Sequence, residues 1–169
     1  MLSKLSIWES VMSDQSSPLH TTIEPSLGAV LGRVHRQWRS AVNQAVAPLG
    51  MTESRWTALM LLKKTGEGCT QQALASKLSI EMSSLSRTLN QLQQQGLIER
   101  RTDPEDKRVH CLWLTPEGAE MVEALAVRIG TIRDEIYAGI SEAELDAFAS
   151  VLLKMEANAV ACATHREKR

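Results

Sequence analysis

The chain has 169 residues, 43% of them hydrophobic and 23% charged, with a formal net charge of -1, a balance that suits a globular domain extended by helices and excludes a disordered chain. No run approaches the roughly 18 apolar residues of a membrane span, and the first residues lack the apolar core of a secretion signal, so the expected compartment is the cytoplasm with no membrane partner. Three cysteines without paired spacing argue against a disulfide framework, and four histidines that never form a close pair give no metal signature.

Residues 1–26 read as a flexible arm with a polar linker, Ser13-Asp14-Gln15-Ser16-Ser17-Pro18. Leu2, Leu5, Ile7 and Trp8 could form a short docking helix or a frayed end, and no function is assigned to them. A helix over 27–47 follows, with Leu27, Val30, Leu31, Val34, Trp38, Ala41, Val42 and Ala45 on one face and Pro48 ending it. Thr52 is placed to cap a second helix through about Lys64 that carries Trp56, Leu59 and Leu62 on its apolar side. Thr65-Gly66-Glu67-Gly68 is a turn leading to a short strand around Cys69.

Thr70 suits the cap of a helix over 71–78, Ser79-Ile80-Glu81 interrupts the pattern, and another helix is expected over 82–95. On it Met82, Leu85, Leu89 and Leu92 form one stripe, while Ser83, Arg87, Asn90 and Gln94 hold the other face. Gly96 supplies a left-handed stop. Residues 97–101 read as extended, 103–108 as a charged turn and 109–114 as a second strand. Helix, turn, helix and hairpin make a winged helix-turn-helix over 50–115, in a mainly α (α+β) chain.

Thr115-Pro116-Glu117 is a helix start, followed by Val122, Leu125, Ile129, Ile132 and Ile136 at spacings of three and four. Ser141-Glu142-Ala143-Glu144 is a capping box, and Leu145, Phe148, Leu152 and Met155 repeat the rhythm. Such seams need burying, either within one chain or against a second copy. We read 27–49 as an N-terminal dimerisation helix, 116–163 as C-terminal dimerisation helices and 164–169 as a tail.

The polar face of the 82–95 helix has chemistry suited to DNA. Arg can bond guanine in two places, Asn or Gln can do so to adenine, and Ser can meet bases or phosphates. Charge is distributed accordingly: residues 27–116 hold twelve basic against seven acidic side chains, and 117–169 six against ten. The same residues would also serve as an ordinary solvated face, so a small α+β domain with an incidental hairpin is the bland alternative. No nucleophile–base pair, phosphate-cradling glycine loop or cofactor motif points to an enzyme.

Four stretches resemble the MarR-type regulators, and within them the SlyA/RovA-like group: Arg36-Gln37-Trp38-Arg39; 48–56, with Pro48, Gly50 and Trp56; 84–92 followed by Gly96-Leu97-Ile98; and Asp106-Lys107-Arg108 leading to Leu114-Thr115. The resemblance covers about residues 27–162. It implies a homodimeric, sequence-specific transcriptional regulator at the nucleoid, reading a palindromic, A/T-rich promoter site in double-stranded DNA, as a repressor or by relieving silencing. Expected DNA contacts are Ser83, Ser84, Ser86, Arg87, Asn90, Gln91 and Gln94 from the recognition helix and Lys107 and Arg108 from the wing, with Asp106 stabilising the wing. The SlyA-like group is similar in having a pocket where salicylate-type aromatic carboxylates weaken DNA binding, and Arg39 and Trp56 match its pocket side. With His35 and Trp38 nearby, these four form a candidate ligand set, against the plainer reading of core tryptophans and an Arg39 paired with an acid.

Cys111 departs from the basic residue SlyA-like chains tend to carry there. The peroxide sensors of the family place a cysteine near the start of helix one, where this chain has none, leaving Cys111 the least remote redox candidate. The reading from another class is a dimeric scaffold or adaptor without DNA-binding activity.

Overall fold

The computed structural model describes residues 18–66, 68–102 and 109–167. The apolar positions of the N-terminal arm and the wing-turn residues Asp106, Lys107 and Arg108 lie outside the described residues.

After the single turn α1 (Leu19–Thr22), Ser26 accepts a hydrogen bond from the Ala29 amide at 3.2 Å and opens α2 (Leu27–Val46). Pro48 sits in the 3-10 turn Ala47–Leu49 that ends it. At the start of α3 (Glu53–Thr65), Thr52 stands at the cap position, but its hydroxyl accepts from Arg55 Nε at 3.1 Å rather than from an amide. The expected cap is thus replaced by a side-chain contact. Thr70 does cap α4 (Gln71–Leu78), accepting from Ala73 N at 3.1 Å.

The recognition-type helix α5 runs Met82–Gln94 and ends as its sequence requires. Gly96 takes φ +70°, its amide donates to Gln93 O, and the Leu97 amide donates to Leu92 O, both at 3.0 Å. Three antiparallel strands, β1 (Cys69–Thr70), β2 (Ile98–Thr102) and β3 (His110–Leu114), lie in the order β1-β3-β2. Cys69 pairs with Leu112, and Ile98 with Leu114. This is the helix–turn–helix followed by a hairpin that the pattern predicts.

Leu59 and Leu62 from α3, Leu74 from α4, Leu85, Leu89 and Leu92 from α5, Ile98 and Leu112 from the sheet and Leu125 from α6 (Pro116–Ile136) are fully buried together. At about 1.5–3 kcal/mol for each buried aliphatic side chain, this set holds the apolar stripe of α5 inward. Met82, expected on the stripe, is 42% exposed because the first turn of α5 projects past the core. Val42 and Val46 of α2 join the same core.

The start of α6 is tied to the hairpin. Thr115 caps the helix by accepting from Gly118 N at 2.9 Å, while its own hydroxyl donates to Gly96 O at 2.6 Å. Gly118 is buried so close to the chain that a Cβ built there would lie 1.9 Å from Leu97 O.

The chain divides into two compact units, with the boundary between Ile132 and Arg133. In the second, α7 (Glu142–Glu167) opens with the reciprocal capping box: Ser141 N donates to Glu144 Oε2 at 2.8 Å and Glu144 N to Ser141 Oγ at 3.4 Å. Ser141 Oγ also donates to Glu144 Oε2 at 2.6 Å, and this bond, with that from Ser141 N, holds the exposed Glu144 carboxyl below its usual range. Phe148, Val151, Leu153 and Val160 of α7 are each more than half exposed. The expectation that no stretch approaches a membrane span is corrected here: Glu142–Thr164, with mean hydropathy 1.2, is long and apolar enough by length and composition, although charged residues interrupt it, and its apolar window has no buried residue.

Candidate nucleic-acid interface

With Leu85, Leu89 and Leu92 turned into the core, helical geometry sends Ser83, Arg87, Asn90 and Gln94 outward, and all four are exposed. Ser84 and Gln91 are exposed beside them, and Ser86 is half-buried. The expected helix contacts therefore share one helix on its accessible side. Thr88 is buried between them and returns its hydroxyl to Ser84 O at 3.3 Å, so it takes no part in the outer face.

Two of these residues are already engaged by groups the sequence reading did not single out. Gln71 at the start of α4 donates from Nε2 to Ser86 Oγ at 2.6 Å. Arg100 on β2 donates from Nη1 to Asn90 Oδ1 at 2.6 Å and to Gln93 Oε1 at 3.0 Å, and its Nη2 lies 3.5 Å from Ser86 O. Its Nε is buried without a partner. Within the run Leu97-Ile98-Glu99-Arg100-Arg101 the sequence gives only alternation as a signal: side chains two apart on a strand share a face. Arg101 goes to the other face, pairing with Glu99 at 2.6 Å and lying 4.6 Å over the Trp113 ring.

The four candidate ligand residues are not gathered into one enclosed site. His35 is exposed, whereas Trp38 and Trp56 are half-buried and packed against the core. Arg39 pairs with Glu53 at 2.5 Å. Asn43 bridges from that carboxylate to the indole, donating to Glu53 Oε2 at 3.2 Å and accepting from Trp56 Nε1 at 3.0 Å. The Arg39 hydrogen bond, opposed by burial and aided by Asn43, holds the Glu53 carboxyl below its usual range. Beside this chain lies an open recess of about 600 Å³ lined by Arg36, Arg39, Ser40, Asn43, Gln44, Ala47 and Glu53.

Cys69 and Cys111 are half-buried cysteines on neighbouring strands, and burial pushes the Cys69 thiol up, away from the reactive thiolate. Among the described residues no group of three His, Cys, Asp or Glu side chains comes together to hold a metal ion.

The fold is that of a winged helix-turn-helix regulator, with its second helix held apolar side in and polar side out. A model of the MarR family matches residues 51–110. The crystal structure of transcriptional regulator PA3341 is similar over 78% of this chain and 96% of that one, with 30% identity and a TM-score of 0.71. The transcriptional repressor CouR, bound to a 23-mer DNA duplex, is 27% identical over 77% of this chain and 92% of its own, with a TM-score of 0.71. Wild-type MarR from E. coli in its apo form is 26% identical over 79% and 97%, with a TM-score of 0.67. The chain belongs to the MarR family of transcriptional regulators.

Proposed function

We propose that the protein is a cytoplasmic, nucleoid-associated homodimer that places α5 of each subunit in a major groove and reads an inverted-repeat promoter site. The observation that carries this reading is α5 itself. Its three leucines are fully buried, and the side chains left outside are serines, amides and an arginine, the types that bond to base edges and phosphates. The DNA-bound state of CouR, a relative of the same fold, supports it. Lys107 and Arg108 would add phosphate or minor-groove contacts from the wing, with Asp106 pairing rather than facing phosphate.

The second subunit is proposed for the exposed apolar residues of α7, which the chain's own core leaves uncovered. A pair of subunits would set the two reading helices about 34 Å apart, one turn of DNA. The stretches Arg36-Gln37-Trp38-Arg39 and 48–56 are the ground for placing the chain with the SlyA/RovA-like group, for which an A/T-rich site is expected.

Release by a small aromatic carboxylate is the regulatory part of the proposal. Its support is the recess beside Arg36 and Arg39. Because Glu53 already occupies the Arg39 guanidinium, an acid must share or displace that partner, which lowers its affinity.

Selection from a randomised duplex library, followed by footprinting and a solution mass, tests the reading. The expected result is an enriched inverted repeat protected in both halves by a dimer. Protection of one half-site, or a monomer at binding concentrations, overturns it.

A further inference from the structure

We propose that Arg100 is a positioning residue for base selection: it holds the side-chain oxygens of Asn90 and Gln93, so that α5 offers DNA the NH2 groups of those amides. This rests on the reading of α5 as the helix that enters the groove.

The orientation of both amides follows from the chemistry of their partner. A guanidinium has donors and no acceptor, so the amide atom that faces it must be oxygen. Turning either amide over would set NH2 against N–H. One nitrogen, Nη1, supplies both bonds, at 2.6 Å to Asn90 Oδ1 and 3.0 Å to Gln93 Oε1, using its two hydrogens. Both bonds are charge-assisted.

The guanidinium is itself held. Arg100 sits in the middle of β2 opposite Leu112, a fully buried residue of β3, and its buried Nε lies on the protein side of the fork. The sheet therefore sets where the fork points, and the fork sets the amides. No hydrogen bond engages the nitrogens of Asn90 and Gln93 among the described residues, and both side chains are exposed.

The consequence is a change in what Asn90 can read. Two-pronged recognition of adenine needs the amide oxygen to accept from N6 while NH2 donates to N7. Here the oxygen is committed to Arg100, and the outward edge is a donor. Guanine, with acceptors at O6 and N7, and thymine, with O4, complement that edge. Cytosine presents its N4 donor and is opposed. Asn90 shares its helix face with Ser83, Arg87 and Gln94, so this donor edge lies in the row expected to face the groove.

The test compares the full chain with Arg100→Met and Asn90→Asp in selection from a randomised duplex library, with the salt dependence of binding measured on the selected site. The wild type is expected to favour guanine or thymine at one position of each half-site. Arg100→Met frees the amide, and adenine at that position should gain about fivefold or more relative to guanine and thymine, with the salt slope unchanged. Asn90→Asp keeps an acceptor for Arg100 and turns a second oxygen outward, so the same position should move to cytosine. Base preferences unchanged in both variants overturn the inference. So does an equal loss on every duplex with a shallower salt slope in Arg100→Met, since Arg100 would then meet phosphate directly. If Arg100→Met fails to fold, Asn90→Asp, an isosteric change on an exposed side chain, decides alone. A wild type that enriches no sequence at all defeats the proposed function; an enriched site with unmoved preferences defeats only the role of Arg100.

Discussion

Arg39 on α2 closes on Glu53 at the first position of α3, with Nη2 2.5 Å from Oε1, and the same carboxylate reaches the Trp56 indole through Asn43. An acid in the first turn of α3 already suits the helix dipole. The ion pair adds a link between α2 and α3, two elements that also share the core through Val42 and Leu59.

That link should be visible in acid. A carboxyl whose folded pKa is depressed stabilises the fold fully above its unfolded value, near 4.5, and the gain disappears as pH falls through the lower folded value. Because the two side chains are 49% and 35% exposed, solvent screens the pair and the effect is small. Glu53→Gln should lower the thermal midpoint at neutral pH and flatten its decline below about pH 4.5. Parallel midpoint curves for wild type and variant across that range would show that the pair contributes nothing.

Ligand control makes a separate demand on the same residues. Salicylate titrated calorimetrically should bind saturably and weaken DNA binding, Arg39→Ala should abolish that binding, and Glu53→Gln should tighten it by freeing the guanidinium. A tenfold loss of DNA affinity corresponds to about 1.4 kcal/mol of coupling. Saturable binding that leaves DNA affinity untouched removes salicylate as an effector.

Arg87 is exposed on the outer face of α5. If it meets a base, Arg87→Ala should lose about 1–3 kcal/mol of discrimination at one position; if it meets a phosphate, all sequences should weaken together and the salt slope should fall by about 1. Binding equal to wild type across a site library excludes both contacts.

For assembly, Phe148 is the informative position, since it is 52% exposed in the single chain. Phe148→Glu should leave the winged unit folded while weakening the dimer at least about tenfold, a change of about 1.4 kcal/mol or more. Sedimentation across a dilution series reads it directly. A variant as dimeric as wild type would remove this part of α7 from the subunit contact.

Periodicity made the architecture legible because the core-forming residues repeat locally. Leu85, Leu89 and Leu92 announce the buried side of α5, while Thr70, Gly96, Thr115 and Ser141 mark ends whose hydrogen bonds are all made. Thr52 is the exception: it stands at the cap position, but its hydroxyl accepts from Arg55 Nε and makes no bond to a helix amide. The site was legible only as a face. Arg39 and Trp56 are visible as residue types, but their partners Glu53 and Asn43 come from turns that only the fold brings beside them. Arg100 was hidden in a run of charged residues, because its significance lies in a fork reaching Asn90 across ten positions of chain.

At Gly118, α6 meets the carbonyl of Leu97 with no side chain between them. Leu97 lies in the short connection between the end of α5 at Gln94 and the start of β2 at Ile98, and its amide donates back to Leu92 O of α5, so three elements meet around one piece of backbone. Side chains at a joint absorb small displacements by changing rotamer; backbone in contact has no such slack. The joint therefore works as a clamp. A side chain at residue 118 would have to push the first turn of α6 away from the exit of the reading helix, so the contact between them is open only to glycine.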